Sequence, residues 1–152
     1  TAEAARDGLL DVLPRLVTIY GAAAATLAAD YFDELRDASG AKGRFRAIPA
    51  EPVTGGLDAL ARWAVGPMFQ AVPDPASALS LAAGGAQRSI TDSARLTVVQ
   101  SSLEDPKAHG WVRVGAGECD WCKQYLDGEV HYTEGYDFQA HNNCGCNAEP
   151  AY

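Results

Sequence analysis

Four cysteines and a histidine hold most of the reactive chemistry in this chain. They run Cys119-Asp120-Trp121-Cys122, then eighteen residues, then His141-Asn142-Asn143-Cys144-Gly145-Cys146. A cysteine pair followed at roughly 15–20 residues by a second ligand pair is the spacing of a zinc-binding module. Zn²⁺ asks for four nitrogen or sulfur ligands in a tetrahedron, and two tight turns can offer two each. Cys119 and Cys122 are the firm half, and two of His141, Cys144 and Cys146 complete the set. If Cys144-Gly145-Cys146 is extended, its two sulfurs point to opposite faces, which favours His141 with one cysteine. A tight turn at Gly145 lets both sulfurs bind. Five ligands for four places describe a closed structural site, since a catalytic zinc keeps one position open for water.

Other chemistries fit less well. Cys119-x-x-Cys122 is also the spacing of a redox dithiol, but that motif belongs between a strand and a helix in a βαβ pattern, and the preceding chain is helical. A zinc deaminase needs a His-x-Glu box before a Pro-Cys-x-x-Cys. Here Glu118 precedes Cys119, and Glu129 and His131 come afterwards in reversed order. His109 reads as solvated and His131 as a half-buried structural residue. No Ser-His-Asp order, phosphate loop or carboxylate pair stands out.

The elements that must position these ligands begin with helix. From Ala2 to about Asp37, Leu16, Ile19, Tyr20, Ala23, Leu27, Tyr31 and Leu35 recur at three- and four-residue steps and predict one apolar face, with Pro14 starting a new helix or kinking a continuous one. Gly21 and the alanine run after it would let another helix come close. Ser39-Gly40 ends this helix, and Ala41 to Gly56 is a glycine- and proline-punctuated loop. Leu57 to Phe69 is helical again, broken at Gly66-Pro67, with Trp63 expected in the core. Asp74 and Pro75 are an N-cap and a first helical residue. The helix they open runs to about Leu103, with Gly84-Gly85 marking either a break or a close approach by another segment. Past Pro106 the pattern changes to short alternating segments, with strands expected at Trp111–Val114 and Val130–Thr133. A tail this short folds best around its ligands.

The formal net charge is −8, from 12 Lys and Arg against 20 Asp and Glu. That argues against a surface working by phosphate neutralisation, and Lys42, Arg44 and Arg46 form the only basic run, best read as a solvated loop. No stretch reads as the roughly 18–20 apolar residues of a membrane span.

Val112-Arg113-Val114-Gly115-Ala116-Gly117-Glu118-Cys119-Asp120-Trp121-Cys122, followed by His131-Tyr132, Phe138, His141-Asn142-Asn143-Cys144-Gly145-Cys146 and Glu149-Pro150, resembles the end of the MuF-like minor capsid proteins of tailed phages, especially those of actinobacterial phages. The helical part resembles them only in style, in Ala61-Arg62-Trp63-Ala64 and the Asp74-Pro75 start. Lys123 to Gly128 departs from the small and apolar run that the family usually places after the first cysteine pair. The resemblance implies a low-copy virion component near the portal, touching portal and major capsid proteins, with contact to packaged DNA a weaker implication and no catalytic activity.

The expectation is therefore a mainly α fold. An alanine-rich helical body spans 1–106, and a small zinc-bound β-module spans 107–152. The function expected is head assembly in a virion assembled in the host cytoplasm, with a structural Zn²⁺ among Cys119, Cys122, His141, Cys144 and Cys146. The competing readings are a zinc-dependent hydrolase or deaminase-like toxin domain, and a zinc-ribbon adaptor that binds a protein.

Overall fold

In a computed structural model the described residues are 1–115, 120–126, 128–131 and 138–152. The fold is mainly α, as the apolar periodicity predicts, with one small antiparallel sheet. Three helices precede the sheet: α1 (Ala2–Ala38), α2 (Leu57–Ala64) and α3 (Pro75–Glu104). A 3₁₀ turn, Gly66–Phe69, follows α2. The strands are β1 (Gly110–Val114) and β2 (Asn147–Ala151), with the one-turn helix α4 (Asp120–Lys123) between them.

α1 is continuous through Pro14 and starts where the Thr1 hydroxyl accepts from the Ala4 N–H at 3.2 Å. Gly40 ends it with a φ of 77°, a value glycine adopts without a Cβ penalty. The face of α1 that turns inward differs from the one the sequence suggests. Leu13, Val17, Gly21, Ala25, Ala28, Ala29 and Phe32 are buried, while Leu16, Ile19, Tyr20, Leu27 and Tyr31 are exposed. Both faces are apolar, so periodicity alone does not choose between them. The inner face wins because its small residues allow close packing on α3. A Cβ at Gly21 would stand 2.9 Å from Ser93 Oγ and 3.2 Å from Pro52 Cβ.

By length and composition α1 could cross a membrane, contrary to the sequence reading, although its inner face is packed within the protein. The core helix of a globular protein meets the same criterion.

α3 opens as expected, with the Asp74 carboxylate accepting from the Ser77 N–H at 3.0 Å. Gly84 and Gly85 do not break it; both are buried contact points. A Cβ at Gly85 would overlap the Leu60 side chain from α2, and one at Gly84 would touch Asn142 and Asn143 at 3.4 Å. Trp63 is not core but 54% exposed, because α2 presents Leu57, Ala61 and Ala64 inward instead.

The long loop before α2 has no secondary structure, yet it is tied down. Its amides at Ala47, Ala50 and Val53 donate to Asp33, Thr97 and Ser93 side chains, each at 3.0 Å. Ser93 and Thr97 also return hydrogen bonds to carbonyls one turn back in α3, so they cost the helix little.

β1 occupies the predicted strand and pairs antiparallel with β2, Gly110 facing Ala151 and Val114 facing Asn147. β2 itself was not expected as a strand, since Pro150 lies within it. Proline is tolerated there because Trp111, its partner in register, directs both backbone groups to the other side, exchanging hydrogen bonds of 2.9 and 2.8 Å with His131. His131 therefore forms an isolated bridge where a strand from Val130 to Thr133 was expected; Tyr132 and Thr133 lie outside the described residues. One apolar cluster joins Ala28, Phe32, Val98 and Val99 of the helices to Trp111 of β1 and Ala148 of β2.

Candidate metal centre

The sheet register fixes half of the site. Val114 faces Asn147, so the next step along each chain sets Gly115 beside Cys146, and a Cβ on Gly115 would stand 2.9 Å from the Cys146 sulfur. Glycine is what this approach requires. Upstream, a turn closes where the Cys144 N–H donates to the His141 carbonyl at 3.2 Å, with Asn143 in the left-handed region at φ 61°. α4 brings Cys122 to the same point.

The sulfurs of Cys122, Cys144 and Cys146 all lie within 4.8 Å of one another, and no disulfide joins them. Cys122 and Cys146 are buried and Cys144 is half-buried. The sulfurs of Cys144 and Cys146 thus come together, with the turn at Asn142-Asn143 rather than at Gly145. Cys122 Sγ stands 3.6 Å from Cys144 Sγ and 3.3 Å from His141 Nε2. Ligands at zinc distances of about 2.3 Å for sulfur and 2.0 Å for nitrogen give tetrahedron edges of roughly 3.5–3.8 Å, so these separations are close to coordination geometry. His141 Nδ1 lies 2.7 Å from the Asn142 carbonyl, which can only accept. A proton on Nδ1 fits this contact and turns Nε2 toward Cys122, but His141 stands outside the group of three sulfurs that approach one another within 4.8 Å. Cys119 lies outside the described residues.

Three close cysteines can hold a metal ion, and the surroundings of Cys144 favour the thiolate form that binding requires. Burial raises the Cys144 thiol, but the Cys146 N–H, the Cys122 thiol and the charge of Arg95 outweigh it and hold the group below the usual thiol range.

Two buried arginines organise the ligand loop; Arg113 enters the sequence reading only as part of the motif, and Arg95 is not marked there. Arg95 of α3 reaches the Cys144 carbonyl at 2.9 Å and the Cys146 carbonyl at 2.7 and 2.9 Å, while Asp92 holds its third nitrogen at 2.7 Å. Arg113 of β1 donates to the Gln139 carbonyl at 2.6 Å and lies 3.9 Å over the Phe138 ring. Trp121 and Tyr125 stand beyond it, and Trp121 meets the His141 ring edge-on at 5.4 Å. The available signal was Arg95 as the one charged residue between Ser93 and Val99 of α3. Arg95 and Gly84 are eleven residues apart, close to three helical turns, so one face of α3 seats the loop twice.

The expected basic run is partly neutralised: Arg46 pairs with Asp37 at 3.3 Å and Asp33 at 3.7 Å. His109 is exposed and His131 half-buried, as their contexts implied.

A family model described as VG15 protein matches residues 1–152. No curated protein and no solved structure matches the chain.

Proposed function

The chain belongs to the VG15 protein family, a name that denotes a viral gene product and suggests a phage protein, and from that premise we propose a minor head protein of a tailed phage. Its role is assembly near the portal, in contact with portal and major capsid proteins. The end-to-end family match supports a phage protein, and the likeness of the cysteine stretch to MuF-like minor capsid proteins is what favours the head role. The family does not suggest a catalytic role. Contact with packaged DNA would fall to Lys42 and Arg44, since Arg46 is engaged by acids of α1.

The metal in this reading is a structural Zn²⁺. Cys122, Cys144 and Cys146 would hold it, with His141 or Cys119 as the fourth ligand, and bound zinc would supply the cross-link that shapes the tail. A set this rich in sulfur is typical of structural rather than catalytic zinc.

Two experiments test the proposal. Mass spectrometry of purified particles from the encoding phage should find the protein at low copy, and portal pull-down from assembling heads should recover it; absence from both proheads and mature virions overturns the assembly role. Metal analysis of the full chain should give one zinc per molecule, lost in Cys122→Ser and Cys144→Ser. A metal-free wild type with unchanged melting of both variants overturns the zinc assignment.

A further inference from the structure

The outer face of α1 carries a second pattern that neither the core nor the cysteine site uses. Val12, Leu16, Ile19, Tyr20, Leu27 and Tyr31 lie along it, between 37% and 69% exposed. No charged residue interrupts this face between Val12 and Leu27. The exposed parts of these side chains amount to roughly 600 Å², at the top of the range for the largest patch on an ordinary monomer and three quarters of the about 800 Å² per partner that a stable pair buries.

The order of residues along the face is self-complementary. Counting outward from the midpoint between Ala23 and Ala24, Tyr20 and Leu27 are equidistant, as are Leu16 and Tyr31, then Val12 and the half-buried Leu35. Such symmetry is what a two-fold axis across an antiparallel helix pair demands, because each residue must meet its counterpart on the other copy. Alanines at the centre let the helices approach where they cross.

A receptor for the aromatic residue is also present. A groove of about 360 Å³ runs beside the stripe, lined by Ala24, Leu27, Ala28 and Tyr31 of α1 with Val98 of α3 and Ala148 of β2. In the antiparallel register the Tyr20 of a second copy arrives at Leu27 on this same flank. An aromatic side chain seated in an apolar groove is the usual anchor of an interface.

We infer that a second copy of this chain docks on the outer face of α1, antiparallel about a two-fold axis between Ala23 and Ala24, with Tyr20 of each copy in the groove of the other. The inference does not rest on the assembly role proposed above. Sedimentation of the full chain at micromolar concentration should show a dimer. Leu27→Asp should weaken it by more than roughly 100-fold, since the substitution buries a charge. Leu27 is 69% exposed in the single chain, so the melting curve of the variant diluted to monomer should match that of wild type. Under added oxidant, Ala23→Cys should cross-link two chains, whereas Thr18→Cys, exposed on another side of α1, should not. A wild type that stays monomeric overturns the inference, whether or not it binds lipid vesicles or another protein. So does a Leu27→Asp dimer of unchanged strength, or a cross-link at Thr18→Cys but not at Ala23→Cys.

Discussion

Arg95, in the middle of α3, holds the carbonyl of Cys146 with two nitrogens, at 2.9 and 2.7 Å. Through that contact a helix far away in sequence fixes a turn whose side chains form the candidate metal site.

Replacing Arg95 tests how much the turn owes to the helix. Arg95→Ala should weaken zinc binding by about 10–100-fold, the range typical of groups that orient ligands without touching metal. Arg95→Lys should recover only part, because a single ammonium cannot span both carbonyls as the guanidinium fork does. Chelator competition on the folded chain measures both, and equal affinities in all three proteins would refute the positioning role.

A second buried arginine sets the response to acid. Arg36 meets Asp105 at 2.8 Å with both side chains sealed from solvent, and the Tyr152 hydroxyl donates to the same carboxylate at 3.1 Å. Burial raises the Asp105 carboxyl, but hydrogen bonds from Arg36, the Lys107 N–H and Tyr152 outweigh it and leave the group below the usual carboxylate range. Its stabilisation is therefore complete above the ordinary carboxylate value and fades as pH falls through the depressed one. Asp105→Asn should be strongly destabilising at neutral pH, with the deficit shrinking in acid. Denaturant titrations of both proteins across that range check the sign.

Glycines in the same helix should respond in opposite ways. Gly8 is exposed in α1 with nothing within 4 Å of the place a methyl group would take, so Gly8→Ala should stabilise by up to about 1 kcal/mol through helix propensity. At Gly21 the same methyl group meets the rigid Pro52 ring and the Ser93 hydroxyl that anchors the Val53 amide. Crowding of this kind costs about 1–3 kcal/mol, so Gly21→Ala should be a net loss. Thermal melts of the two variants give the comparison.

Tyr31 should ionise late. Its hydroxyl donates to Glu149 at 2.7 Å, and this bond, burial and the carboxylate charge push the phenol up to about 12. The tie between α1 and β2 thus contributes stability below the ordinary phenol value of 10.0, lost as pH rises toward 12. Glu149→Gln should bring one tyrosine back toward ordinary titration in ultraviolet absorbance; an unchanged titration would remove the contact.

The helix boundaries and the closeness of Cys122, Cys144 and Cys146 were legible because local signals specify them: Asp74-Pro75, Ser39-Gly40 and ligand spacing. Which face of α1 turns inward was not legible, since Leu13 and Leu16 are equally apolar and only Ser93, Pro52 and the other small partners of Gly21 decide between them. β2 was hidden by Pro150, whose tolerance depends on Trp111 turning its backbone toward His131. The burial of Arg36, Arg95 and Arg113 carries no local signal in the sequence. Most of their acceptors are backbone carbonyls, in the next loop for Arg36 and in distant segments for Arg95 and Arg113, which side-chain patterns do not reveal.

Trp111 has no exposed surface, and it completes an apolar cluster begun by Phe32 and Val98. During synthesis, then, α1 and α3 can meet but cannot finish their shared interior until the strand carrying Trp111 has emerged. Until that moment the end of the inner face around Ala28 and Phe32 stays uncovered, so the nascent chain depends on its later residues to hide the earlier ones.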